Sequence, residues 1–290
     1  MTELATKRPK RLFAFGCSFT RYHWTTWPEF VAYDLNIPYY NYGRSGAGNQ
    51  YISNMVAQAD ATYSFDEDDL VMITWTNVAR EDRWVKGDWV TPGNIFTQGD
   101  YDETFVRKWA DPVGYMIRDF ASIHLTKNLL DNKKCKYHML SMCNIQTTID
   151  QSQTSKGIEP KYKLIHEELC KKYSETLDTI QPSFFDVLWE NNVYGNKLLK
   201  EKNIWGGQYS DGHPSPMEHY KYLERIFTSH NFRPETYNEA SRVQKNYINF
   251  ILEENKKHST SYAIYQVDKK DQLELKRLTE VKTELQKHAL

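Results

Sequence analysis

The sequence predicts an α/β protein: a three-layer α/β/α fold with a parallel sheet of about five strands, followed by a helical C-terminal extension. Two observations carry this. Apolar runs too short for helices alternate with amphipathic stretches of helical period, which calls for right-handed crossovers and a parallel sheet covered on both faces. After Phe227 the alternation stops and only helical patterns remain.

The first strand is Leu12-Phe13-Ala14-Phe15, ending at Gly16, and Trp24 to Leu35 follows as a helix. Ile37 to Asn41 is a weaker strand, Gln50 to Ala59 a helix, and Leu70 to Trp75, bounded by Asp66-Glu67-Asp68-Asp69, a third strand. Residues 82–111 show neither period; a long irregular segment is usually functional or disordered, and Trp84, Trp89 and Trp109 argue against disorder. An ordered insertion near the functional face is expected there. Val113 to Leu130 reads as a helix, Tyr137 to Met142 as the fourth strand, and polar Gln146 to Pro160 as a mobile connection. Tyr162 to Tyr173 is helical, Phe184 to Leu188 is the fifth strand candidate, and Glu218 to Phe227 is the closing helix.

Beyond it, Pro234 to Asn255 reads as a helix with Val243, Tyr247 and Ile251 on one stripe, and Lys269 to His288 as a charged helix with Leu275, Leu278 and Leu285 at helical spacing. The chain thus divides into a domain of residues 1–230 and an extension of residues 231–290. Because crossover helices should already cover the sheet, the stripes of the extension are expected to meet a protein partner or a second copy, making a homo-oligomer; the plainer reading is an extension folded back on its own domain.

Composition narrows the function classes. Of the 290 residues, 40% are hydrophobic and 14% aromatic, polar for a globular protein but too aromatic for a disordered chain. Lys+Arg 37 against Asp+Glu 38 leaves a net charge of -1, so the positive field of a nucleic-acid or anionic-membrane protein is missing. Cys17, Cys135, Cys143 and Cys170 form no C-x-x-C pair, which argues against disulfide scaffolds and thiolate zinc sites. The basic start lacks the apolar length of a signal peptide and no run approaches the ~20 residues of a membrane span. A cytoplasmic location is expected.

Two motifs could carry chemistry. Phe15-Gly16-Cys17-Ser18 runs a strand into Gly-x-Ser, presenting the serine to the crevice beyond the carboxyl ends of the strands, where open α/β sheets bind ligands. The plainer reading is a serine that caps the next helix. Late in the domain, Asp211-Gly212-His213-Pro214 precedes Ser215-Pro216-Met217-Glu218, a capping box with proline at the first helical position. His213 is thereby fixed just outside a helix N-terminus, whose partial positive charge disfavours an imidazolium unless a carboxylate such as Asp211 is near. The plainer reading is a surface histidine in a turn.

An early Gly-x-Ser and a late Asp/His pair are the parts of a Ser-His-Asp acyl-transfer site. On these residues the chain resembles the SGNH (GDSL-like) hydrolase superfamily, whose sequence blocks sit at the carboxyl ends of a flavodoxin-like sheet. Gly16-Cys17-Ser18-Phe19-Thr20 resembles the nucleophile block, with Cys17 where the family often has Asp. Asn41 to Asn49 resembles the second block, and the resemblance makes Gly46 a backbone donor to the oxyanion. Thr74-Trp75-Thr76-Asn77 stands in for the third block without its glycine and aspartate; Asn77 either supplies a side-chain donor to the oxyanion hole or bonds a neighbouring loop. Asp211 to Pro214 resembles the closing block, with one residue rather than two between Asp and His.

The resemblance implies a serine ester hydrolase working through an acyl-enzyme: Ser18 as nucleophile, His213 as base and then acid, Asp211 orienting the imidazole, and the N–H groups of Ser18 and Gly46 with Asn77 forming the oxyanion hole. Arg80, His23, Trp75 and Trp84 are candidates for substrate contact. The aromatic insertion suits an acylated sugar better than a long acyl chain. An acyltransferase, or a binding and assembly protein that keeps the fold with little activity, are the alternatives. No cofactor or metal is expected: His124, His138 and His166 lack ligand spacing, and the glycines of residues 43–48 lead to no Gly-Lys-Ser/Thr. His219 is expected on the buried face of the closing helix.

Overall fold

The computed structural model describes residues 3–5, 7–96, 101–146, 160–188, 213–257 and 286–288. The elements run β1 (Arg11–Gly16), α1 (Trp27–Leu35), β2 (Tyr39–Gly43), α2 (Asn49–Tyr63), β3 (Asp69–Trp75), β4 (Arg83–Val85) and β5 (Asp88–Val90). They continue with α3 (Glu103–Trp109), α4 (Pro112–Lys133), β6 (Lys136–Ser141), α5 (Pro160–Lys172), α6 (Ser174–Leu177) and α7 (Phe184–Leu188). The last are α8 (Pro216–Ile226), α9 (Pro234–Lys257) and β7 (Gln286–His288).

Four strands in the order β6-β3-β1-β2 make the parallel body of the sheet, and three-residue β7 pairs parallel with the free edge of β2. Their apolar runs are continuous because both faces are covered: Leu12 to Phe15 and Leu70 to Ile73 are all fully buried. The start of the pairing between β1 and β3 is pinned by Arg11, whose guanidinium forks onto buried Asp69 at 2.6 and 3.0 Å. One layer contains α2, α4, α5 and α6; the other contains α1, α7, α8 and α9. This is the three-layer α/β/α fold that the alternation predicts.

The fifth strand falls elsewhere. Phe184–Leu188 is helix α7, not strand, and the place beside β6 is taken by a single parallel bridge between Met139 and Ile180. The Ser183 hydroxyl accepts from the Asp186 N–H at 3.1 Å and donates to the Asp186 carboxylate at 2.7 Å. This local cap, readable as Ser-x-x-Asp, outweighs the strand propensity of a five-residue apolar run.

The insertion is ordered where it is described: β4 and β5 form an antiparallel hairpin with Trp84 opposite Trp89, and α3 is capped by Asp102. The expected mobile connection falls, over residues 147–159, outside the described residues.

The described part of the C-terminal extension packs on the rest of the chain. Ala240, Val243 and Tyr247 of α9 are fully buried against the chain itself, and Ala240 and Val243 belong to the same core cluster as the strands. The described part of the stripe, Val243 and Tyr247, is thus covered within the chain, where α9 lies against α1 and α8. Asp34 at the end of α1 fastens the junction, accepting from His230 Nε2 at 2.8 Å, the Arg233 N–H at 2.8 Å and the Thr236 hydroxyl at 2.7 Å. Ile251 has no described side chain, and the helix expected over Lys269 to His288 lies outside the described residues except for Gln286–His288, which are strand. Among the described residues no helix is long and apolar enough to cross a membrane.

Burial by itself would raise the pKa of Asp34, but the hydrogen bonds from His230, Thr236 and the Arg233 N–H outweigh it and hold the carboxyl below its ordinary range. Its contribution to stability is therefore complete above the unfolded value of about 3.9 and is lost as pH falls through the lower folded value. Asp34→Ala leaves the buried Thr236 hydroxyl and two part-buried donors without their acceptor and is expected to cost about 2–4 kcal/mol at neutral pH, with a difference from wild type that shrinks as pH falls below the unfolded value, measured by urea unfolding. A fragment ending at residue 230 is expected to be insoluble or strongly destabilised; a soluble fragment of native stability would contradict the packing of α9.

Candidate active site

The site begins where β1 stops. Beyond Gly16 the chain closes one tight turn, with the Thr20 and Arg21 N–H groups donating to the Cys17 carbonyl at 2.9 and 3.2 Å. A side chain at residue 16 would clash with this turn, because a Cβ there would lie 2.1 Å from Thr20 Oγ1. The turn buries Cys17 and Thr20 completely and leaves Ser18 at 7% exposure, at the carboxyl end of the strand.

The Thr20 carbonyl anchors the turn, accepting from Thr26 Oγ1 at 2.7 Å and from Asn41 Nδ2 at 2.9 Å. Asn41 in turn accepts from the Gly43 N–H at 2.9 Å, so one amide side chain ties the Ser18 turn to the end of β2.

His213 meets Ser18 from the other end of the chain: Nε2 lies 2.8 Å from Ser18 Oγ. Its position is set locally by the capping box of α8, in which Ser215 and Glu218 bond each other's backbone N–H and Pro216 opens the helix. Two long-range bonds fix it further. Trp24 Nε1 donates to the Pro214 carbonyl at 2.8 Å, and the Met217 N–H donates to Gln244 of α9 at 2.8 Å. The Tyr22 ring stacks on the imidazole, with centroids 3.9 Å apart and planes 17° apart, and Phe19 leans on it at 5.5 Å. His219 lies buried between Phe19 and Phe184, as its place on the helix predicts. Burial pushes its pKa down to about 3, so it brings no positive charge to the neighbourhood of His213.

The second block lies alongside. Gly46 adopts φ +75, and a Cβ there would lie 2.0 Å from the Thr91 carbonyl oxygen, so both conformation and space require glycine. The hairpin of the insertion is what crowds it: Thr91 Oγ1 donates to the Ser45 carbonyl at 2.8 Å, and Arg44 forks onto Asp88 at 2.8 and 2.9 Å. Behind the loop, Asp82 accepts from the N–H groups of Gly48 and Tyr51, both at 2.8 Å, capping the start of α2. Burial raises the pKa of Asp82 despite these bonds.

Asn77 follows β3 and is half-buried; its carbonyl oxygen accepts from the Ala79 N–H at 3.2 Å, the loop contact that its sequence position also allowed. Two candidates for substrate contact have other work. Arg80 is buried and donates to the Ala47 carbonyl at 2.9 Å, bracing the loop of Gly46 from behind. Trp75 is fully buried in the core. Trp84 does stand open, 61% exposed on the hairpin, and His23 is half-buried against Tyr22 at 4.5 Å. Asp211 lies outside the described residues. Among the described residues no group of three or more His, Cys, Asp and Glu is arranged to hold a metal.

Sequence reading missed Tyr22 and Asn49. Asn49, the first residue of α2, exchanges two 2.9 Å bonds with the backbone of Thr76 and donates to buried Asp119 at 3.0 Å, joining the second block to the third. Its signal was an amide at the end of the second block, which sequence alone reads as a helix start. For Tyr22 no pattern marked it, because its partner is remote in sequence.

The fold and site together define a three-layer α/β protein that presents a serine and a histidine in hydrogen-bond contact at the carboxyl end of β1. No family model matches the chain, and no curated protein matches it. Among solved structures it is similar to a GDSL-like lipase from Bacteroides thetaiotaomicron, at 16% identity and TM-score 0.41, covering 78% of this chain and 90% of that one. It is also similar to a member of the lipolytic protein G-D-S-L family from Veillonella parvula, at 15% identity and TM-score 0.38, over 75% of this chain and 98% of that one. The psychrotrophic esterase EstA from Pseudoalteromonas matches at 10% identity and TM-score 0.37, over 76% and 99%.

Gly46→Ala places a side chain in the left-handed region and against the Thr91 carbonyl. It is expected to destabilise the chain by about 2 kcal/mol or more, read from the urea midpoint; Gly87→Ala, at a turn with open space around it, is expected to cost less.

Proposed function

We propose that the chain is a serine ester hydrolase. The observation that carries this reading is the 2.8 Å contact between Ser18 Oγ and His213 Nε2. A serine hydroxyl is a weak nucleophile until a neighbouring base takes its proton, and neutral imidazole within hydrogen-bond reach is that base.

In the proposed reaction Ser18 Oγ bonds to the ester carbonyl carbon as its proton passes to His213 Nε2, and the carbonyl electron pair moves onto oxygen. The N–H groups of Ser18 and Gly46 and the Asn77 amide are the proposed donors to that oxyanion. Collapse of the intermediate breaks the bond to the alcohol, which leaves with the proton from His213. Water, deprotonated by His213, then releases the acid and restores Ser18. Asp211 is proposed to orient the imidazole.

The alcohol is proposed to be a sugar. An exposed indole, Trp84, sits on the hairpin that touches the Gly46 loop, and flat aromatic faces suit the apolar side of a pyranose.

Ser18→Ala is expected to keep the fold, lose labelling by a fluorophosphonate probe, and lower turnover of p-nitrophenyl acetate by about 10⁴-fold or more. Wild-type turnover in a folded, pure variant would refute the assignment. Trp84→Ala is expected to raise KM for an acetylated sugar severalfold and to leave hydrolysis of p-nitrophenyl acetate unaltered; equal effects on both substrates would argue against a sugar platform.

A further inference from the structure

We infer that Tyr22 is a positioning residue for His213, its ring holding the imidazole face-on and favouring the imidazolium that forms when Nε2 takes the Ser18 proton. The inference rests on the hydrolase reading for its catalytic consequence, and on geometry alone for its effect on the histidine.

The stack is close and nearly parallel, 3.9 Å between centroids and 17° between planes, which puts the negative face of the phenol ring against the whole imidazole. A cation within about 6 Å of such a face is attracted by the ring quadrupole, and the attraction grows as water is excluded. It is small for a neutral imidazole and full for the imidazolium, so it acts mainly on the charged state that appears along the reaction.

Other groups act on the same charge. His213 stands just outside the N-terminus of α8, where the helix dipole opposes a positive charge. Phe19 is apolar, the Ser18 hydroxyl is neutral, and His219 is buried and uncharged at neutral pH, while the carboxylate of Asp211, the proposed orienting group, would favour the imidazolium alongside the ring. His23 touches the far side of the cluster through Tyr22 and is the other titratable group of the stack. Tyr22 itself is held in place edge-on by Trp24 at 4.6 Å, and Trp24 bonds the Pro214 carbonyl next to the histidine. The run Tyr22-His23-Trp24, directly after the nucleophile turn, thus clamps both the ring and the backbone of the remote histidine.

The experiment follows the His213 ring resonances of the full chain by NMR through a pH titration, assigned by their loss in His213→Gln. In Tyr22→Leu the midpoint is expected to fall by roughly 0.5–1 in pH, while Tyr22→Phe, which keeps the ring, leaves it where it is. Should Tyr22→Leu fail to fold, trifluorophenylalanine at position 22 keeps the shape and weakens the ring face, and the midpoint is expected to fall likewise. On p-nitrophenyl acetate, Tyr22→Leu is expected to lower kcat about 3- to 30-fold at unchanged KM, with Tyr22→Phe close to wild type. Fluorophosphonate labelling of Ser18 in the wild-type chain is read separately. A midpoint that stays fixed on removal or fluorination of the ring overturns the inference even if Ser18 is labelled. A midpoint that moves while Ser18 stays unlabelled upholds the action of Tyr22 on His213 and defeats the hydrolase reading instead.

Discussion

The constraint on which the rest of the site depends is the tight turn after β1. A parallel strand leaves its last carbonyl groups pointing into the crevice, and the chain must reverse there without stranding them. Gly16 makes room, and the Thr20 carbonyl is satisfied by two side chains from elsewhere, Thr26 and Asn41. Those two bonds also join the turn to the start of α1 and the end of β2. Ser18 is held almost buried yet within reach of His213 because the turn has little freedom left.

His213 depends on a different kind of support. It comes from residues nearly two hundred positions later, so its placement is a matter of layer packing. The layer of α1, α8 and α9 behaves as one unit: Asp34 binds the approach to α9, Gln244 of α9 receives the Met217 N–H, and Tyr247 packs on Trp24 at 4.9 Å. Trp24 then bonds Pro214. Helix α9 is thereby coupled, through one tryptophan, to the backbone beside the histidine.

The loops at the ends of β2 and β3 rest on buried polar groups. Asp119 is fully buried, and desolvation drives its pKa up to about 7 against the opposing pull of Arg118, which bonds it at 2.7 Å, and of Asn49. Burying such a carboxyl is costly unless its oxygens are bonded, and here the bonds also determine the relative placement of the second and third blocks. Arg80 adds a donor to the Ala47 carbonyl from the same side. Arg80 and Asp82 thus brace the Gly46 loop from within, while the hairpin of β4 and β5 presses on it from outside.

What the sequence determined by itself was whatever a local pattern can encode. Continuous apolar runs settled β1 and β3, since a strand buried on both faces has no polar side to show, and shorter, mixed runs marked β2 and β6. Ser215, Pro216 and Glu218 determined the start of α8, and Gly16-Cys17-Ser18 the turn after β1, because caps and tight turns involve residues a few positions apart. Phe184–Leu188 went wrong at the same scale: two local signals competed, and the Ser183 cap prevailed over apolar composition. Only the tertiary structure decided the rest. The stripe of α9 looks alike whether a partner or its own domain covers it, and only packing against α1 and α8 showed what covers Val243 and Tyr247. Arg80 and Trp75 share the polar or aromatic character of ligand contacts, and only burial distinguished bracing and core from contact. The pairing of His213 with Ser18 and with Tyr22 depends on bringing distant segments together, and no spacing along the chain carries that distance.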